Sequence, residues 1–420
     1  MRQYRQPFLP VSSSCQFRIL MGKGVPSSET VACANNHRTL LSALSISVFF
    51  VGASEFMLSA MLNPLSIAFD TDSVRITWLI SSYAFAYAIA APFLGYLSDR
   101  INRGRLLLIA LLLFTIDGIG IAFSPTLEIA IGLRIFGGLA SAVIIPTAFA
   151  LISEVVPRAR HAAAMGAVML GMTLGIALGP AIGGLLTSWV GWRAPFLLMS
   201  VGCIVAFLIG TATMSRVRRT VAPSDIRGFR WLRNPQVTRP LLAKGLWNGT
   251  GVSAFLLSGE VLRHRYQLDV AQVGMSVTAF GIGLGVGNLS AGRLRRLTGS
   301  EECSLIVVTI LLTASIAAFY LLPVPMSGAL ACLGAWGAAL GAGAPSATTV
   351  LAERSNRDKG VVLATAETLN NIVILSVVPL ASIILAHGTI PMATTVFIVS
   401  LSIGVTLTLY DALVAPRQNH

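Results

Sequence analysis

Long apolar runs alternate along this chain with short polar breaks, and the repeat is far longer than the turn of any soluble amphipathic helix or the alternation of a strand. Runs punctuated by charges, Pro and Gly cover residues 40–68, 75–97, 105–123, 127–155, 161–186 and 194–214, then 240–262, 271–292, 303–322, 327–351, 361–386 and 391–413. About 20 mostly apolar residues let a helix cross a hydrocarbon core of about 30 Å. The pattern therefore predicts an all-α membrane protein with twelve transmembrane helices.

The long polar break at 215–238 is rich in Arg and divides the spans six and six. The predicted organisation is a tail of disordered composition (1–38), a first half (39–214), a linker (215–238), a second half (239–413) and a short tail (414–420). Met21 is a second candidate start. Gly95, Leu97 and Asp99 after span 2 are echoed by Gly292, Leu294 and Arg296 after span 8, with Gly299 continuing the copy. Two six-helix halves around a central cavity form a transporter plan, with the substrate site near the bilayer midplane.

Charge adds orientation. Charged residues make up only 11% of the chain, and the net charge of +13 would suggest nucleic acid in a soluble protein. Here placement matters more than the sum, and nucleic acid is excluded as a partner. With the N-terminus inside, 25 of the 30 Lys and Arg fall on the inner face, Lys244 among them; Arg75, Arg193, Arg263 and Arg265 fall outside, and Arg134 lies within a span. Both termini are thus expected in the cytoplasm. The five cysteines, Cys15, Cys33, Cys203, Cys303 and Cys332, have neither disulfide nor metal-ligand spacing. The chain lacks a phosphate-binding G-x-x-x-x-G-K-[ST] loop and the HExxH and GxSxG patterns, so it reads as no enzyme and no ATP-driven pump. An ion gradient, with no cofactor, is the expected energy source.

Ionisable residues inside apolar runs are costly and mark functional sites. Glu55 near the middle of span 1 is the first choice for an acid coupling protons to substrate, with Arg134 of span 4 as its partner and Asp117 of span 3 as a second acid. A neutral Glu bonded to a neighbouring helix is the structural alternative for Glu55. Phe56 and Tyr83 are candidates to line the substrate cavity. Glu367 of span 11 is a candidate gate residue, Glu260 lies near an outer end, and Glu154 and Asp411 are expected to be solvated at inner ends.

The segment GYLSDRINRGR, Gly95 to Arg105, resembles the loop signature of the major facilitator superfamily, matching at Gly95, Leu97, Asp99, Arg100 and Arg103, with Asn102 where Gly is usual. The resemblance implies a cytoplasmic latch at Gly95, Asp99, Arg100 and Arg103, with Glu367 as a partner. GIALGPAIGG, with Gly175, Gly179, Pro180, Gly183 and Gly184, is similar to the signature of the drug:proton antiporter group and implies export. LRIFGGLASA resembles a span-4 signature with Gly137 in place of Gln, and GASEF around Glu55 is similar to sugar-efflux and chloramphenicol-export members. The family then implies a monomeric, multi-pass exporter of a small organic compound in exchange for protons, in a bacterial inner membrane. A proton-coupled importer of sugars or organic acids is the alternative, and a non-transporting receptor a more distant one.

Overall fold

The computed structural model describes residues 28–98, 102–157, 160–214, 229–355 and 358–414, and among these every regular element is helical. Span 1 consists of two helices in line, α1 (Ser28–Phe56) and α2 (Leu58–Ala68), and span 2 of a short α3 (Ser73–Ile76) leading into α4 (Trp78–Ser98). The first half continues with α5 (Arg103–Phe123), α6 (Leu127–Val155), α7 (His161–Trp189) and α8 (Arg193–Met214). A 3-10 turn at Phe229–Arg233 precedes α9 (Pro235–Tyr266), α10 (Val270–Thr298), α11 (Glu301–Leu321), α12 (Met326–Arg354), α13 (Lys359–His387) and α14 (Ile390–Val414).

The expected boundaries shift in two places. Residues 28–38, assigned to the polar tail, continue α1, although the stretch apolar enough to cross a membrane does begin at Thr39. The end of the expected linker is also ordered, in the 3-10 turn and the first residues of α9, and Trp231 is buried among Val237, Leu241, Leu351, Val362 and Ala366.

Among the described residues eleven helices are long and apolar enough to span a bilayer. The seventh expected span is occupied by α9, which is 32 residues long but interrupted by Lys244, Asn248 and a run of Thr, Ser and Gly. It is not among the eleven. Most of its residues are buried against other helices, which is how so polar a segment is accommodated. Large apolar side chains such as Phe93, Leu289 and Leu413 point outward instead, as lipid-facing residues do.

The two halves repeat one packing scheme. In the first, α1 packs on α7 and α8, α4 on α6, and α5 on α6 and α8; in the second, α9 packs on α13 and α14, α10 on α12, and α11 on α12 and α14. The halves meet where α7 packs on α10 and α4 on α13, and where α2 reaches α9 and α10. With α9 counted, twelve crossings put Ser28 and Val414 at one end of the bundle, here the termini end; α2 and α3 lie at the far end.

Local chemistry sets the ends and crossings. Asn102, the departure from the loop signature, caps α5 by accepting the N–H of Arg105 at 3.1 Å. Gly299 ends α10 in the left-handed region at φ 81°, where a side chain is unfavourable. In α7 the four-residue spacing of Gly171, Gly175, Gly179 and Gly183 lays a bare stripe against α1. A Cβ at Gly171 would lie 2.5 Å from the Ser45 carbonyl oxygen, one at Gly179 2.7 Å from that of Ala53, and one at Gly175 would collide with the Phe49 carbonyl. Gly184 turns the other way, toward Val270 and Gly274 of α10, and the Pro180 carbonyl abuts Gly274. The expected export motif therefore serves two interfaces, one within the first half and one between halves.

Candidate functional site

Arg134 on α6 and Asp117 on α5 form an ion pair, Nη1 to Oδ2 at 2.9 Å, with both side chains 1% exposed. The same guanidinium donates to the Ser54 carbonyl oxygen at 3.2 Å and, more weakly, to the Ser54 hydroxyl at 3.4 Å. It also lies over the Tyr83 ring, 4.9 Å from the centroid, where the ring's negative face favours a cation. Tyr83 is fixed in turn by donating its hydroxyl to Ser141 at 2.6 Å. The ion-pair partner of Arg134 is thus Asp117, not Glu55 as expected.

Space explains the pairing. A Cβ at Gly137 would stand 2.5 Å from the Asp117 Oδ2, so the residue that replaces the usual Gln is what admits the carboxylate. Gly138 similarly lets α6 approach the Tyr83 backbone of α4. Asp117 Oδ1 and Arg134 Nε have no hydrogen-bond partner among the described residues, so the pair is joined through one contact rather than a two-pronged fork.

Glu55 sits one residue beyond Ser54 and is half-buried. It lines a pocket at the seam of the halves together with Tyr83, Arg134, Ile80 and Leu58 from the first half and Leu256, Asn371 and Ile374 from the second. Its carboxyl lies against Tyr83 and within the electrostatic reach of Arg134 and Glu367. The free room in it is about 10 Å³, near that of one water molecule. A larger occupant requires the pocket to widen.

Phe56, expected on the cavity wall, faces elsewhere. It is buried beside Phe255 and Phe280, at ring-centroid distances of 5.6 and 6.3 Å, in an aromatic cluster that continues to Trp336. One helical step from Glu55 turns the side chain by about 100°, which carries it from the pocket into the junction between halves.

In the second half Lys244 of α9 pairs with Glu367 of α13 at 2.8 Å, the Lys side chain 5% exposed and the Glu 43%. Asn248 donates to Asn370 at 2.7 Å, and Asn371 donates to the Glu367 carbonyl at 3.0 Å. Lys244, expected among the inner-face charges, lies within the buried part of α9. The partner of Glu367 expected in the Asp99 loop falls outside the described residues, as do Asp99 and Arg100 themselves. Gly95 lies in the last turns of α4.

At the termini end Arg103 pairs with Glu154 at 2.7 Å. Arg354 bridges Glu302 at 2.9 Å and Asp411 at 2.7 Å. Glu154 and Asp411, expected to be solvated, are buried in these pairs because helix ends converge there. Glu260 is held by Arg263 and His264 of its own helix, each at 2.8 Å. Among the described residues no group of three or more His, Cys, Asp and Glu side chains is placed to hold a metal.

Known proteins place this geometry. The chain is 29% identical over 256 residues to the uncharacterized MFS-type transporter YceJ of Bacillus subtilis (strain 168), an alignment covering 60% of this chain and 65% of that one. It is 30% identical over 206 residues to the putative multidrug resistance protein MdtD of Serratia proteamaculans (strain 568), covering 49% of this chain and 43% of the relative. The chain thus spans less than two thirds of the length of either curated relative. A crystal structure of a bacterial homolog of the human lysosomal transporter Spinster, inward-facing and unoccupied, superposes with a TM-score of 0.65 over 90% of this chain and 95% of that one, at 14% identity, and so shares the fold. The family model of the Major Facilitator Superfamily matches residues 44–258, just over half of the chain, and the chain belongs to that family, one of transporters and not of enzymes.

Proposed function

We propose that this protein exports a small organic compound across a bacterial inner membrane in exchange for protons, with both termini in the cytoplasm. The observation that carries the reading is Glu55, a half-buried carboxyl in a pocket lined by both halves. The nearest cation, Arg134, already holds a counter-charge in Asp117, which leaves Glu55 to exchange a proton for a ligand. Ionised and facing the cytoplasm, Glu55 favours a compound in the widened pocket. The halves then rock about the α7–α10 and α4–α13 contacts, and a proton taken up at the Glu55 carboxylate from outside releases the compound. The resemblance of the Gly175–Gly184 segment to antiporter signatures and the relative named for multidrug resistance support export over import.

The test begins with a susceptibility panel on cells with and without the gene, with and without a protonophore. The compound so identified is then loaded into proteoliposomes under an imposed pH gradient. Glu55→Gln should slow gradient-driven efflux by at least about tenfold while the protein remains folded. Unchanged efflux in that variant removes Glu55 from the mechanism, and uptake toward the cytoplasmic face reverses the direction.

A further inference from the structure

Span 1 is not one continuous helix. A single-residue turn at Met57, two residues past Glu55, separates α1 from α2: the Met57 N–H still closes on the Ala53 carbonyl at 2.9 Å, but the Met57 carbonyl accepts from Ala60, only three residues on, at 3.1 Å. The carbonyls beside the interruption take side-chain donors: Ser54 O receives Arg134, and Phe56 O receives the Ser59 hydroxyl at 2.8 Å. Across the interruption the chain gains partners. α1 is bound to α7 and α8 of its own half; α2 stays on α7 but also touches α9 and α10 of the other half, with Gly259 packed on the Ser59 carbonyl.

We propose that Arg134, fixed by Asp117, clasps this interruption through the Ser54 carbonyl and so sets the direction in which Glu55 points. Arg134 and Asp117 are then positioning residues and not proton carriers. Three elements converge on the guanidinium: Ser54 from α1, Asp117 from α5 and the Tyr83 ring from α4. The planar fork offers a separate nitrogen to the carboxylate on one side and to the backbone carbonyl on the other, where an ammonium offers both from a single point. The single contact to Asp117 leaves the arrangement weaker than a two-pronged pair, as a clasp that opens and closes requires. Unclasped, the Ser54 carbonyl regains its place in the ladder, α2 moves relative to α1, and Glu55 turns with the joint.

The consequence for transport rests on the exporter reading, but the clasp is tested without a substrate. In the purified full chain in lipid nanodiscs, Arg134→Lys keeps a cation for Asp117 yet cannot span to Ser54. Amide hydrogen exchange over residues 54–62 should rise about tenfold, with the other helices and the melting temperature unchanged. Labelling of Glu55 by a hydrophobic carbodiimide, read by mass spectrometry, should change by about threefold at fixed pH, a readout that a purely structural pair would not move. Gly137→Ala displaces the Asp117 carboxylate without altering a charge, gives the same local signature, and decides the question if Arg134→Lys fails to fold. Exchange at 54–62 and Glu55 labelling both equal to the parent chain overturn the proposal. So does exchange raised evenly along the chain, which marks an ordinary stabilising ion pair. Because neither readout involves a transported compound, a failed efflux assay leaves this result intact, and the reverse also holds.

Discussion

At the scale of the residue, the second-half ion pair is asymmetric: Lys244 is enclosed, whereas Glu367 is almost half exposed. Glu367→Gln leaves an ammonium buried without a counter-charge, a loss of about 3–5 kcal/mol in a fully enclosed pair and less here because one partner is wet. Lys244→Met leaves an acid that can turn to water and a stem of similar size, and should cost about 1 kcal/mol or less. Thermal unfolding in detergent should therefore rank Glu367→Gln well below Lys244→Met, and equal melting points would contradict the burial. Residue identity alone found Glu55, Arg134, Asp117 and Glu367, since an ionisable side chain in an apolar run stands out. It did not find who pairs with whom, because pairing depends on how α5 and α6 are rotated about their axes. Gly137 stands where the resembled signature has Gln, and its meaning, room for Asp117, exists only in three dimensions.

At the scale of the element, α7 carries glycines of two kinds. Gly175 faces α1 within its half, and Gly184 faces α10 across the seam. Gly175→Val should separate α1 from α7 and lower the yield of folded protein. Gly184→Val should leave each half intact but prise the halves apart at the far end, raising maleimide labelling of a cysteine placed at Ser59. If both variants lose folding equally, the division of the motif into two interfaces fails. Helix positions were largely legible, because about 20 apolar residues bounded by charges admit few alternatives. The extension of α1 back to Ser28 was not, since nothing apolar signals it. The interruption at Met57 also left no trace, being the work of a donor that arrives from α6.

At the scale of the molecule, the halves share a packing scheme but invert their charges: Arg103 at the start of α5 meets Glu154 at the end of α6, whereas Glu302 at the start of α11 meets Arg354 at the end of α12. The sequence hinted at this inversion in Asp99 against Arg296, and the six-and-six division was legible in the basic linker. The interior of the second half was harder to read, because α9 resembles neither a lipid-facing span nor a soluble helix. That composition bears on biosynthesis. A lysine at the centre of a nascent segment costs about 2.5–3.5 kcal/mol at the translocon; Lys244, in the first third of α9, costs less than that, and the partner that neutralises it emerges 123 residues later. In a glycosylation reporter α9 alone should fail to integrate, and should integrate when α13 follows it in the same chain; integration of α9 alone would show that its apolar residues suffice. The second half is then completed late and together, its seventh helix waiting at the translocon exit until the eleventh span delivers Glu367.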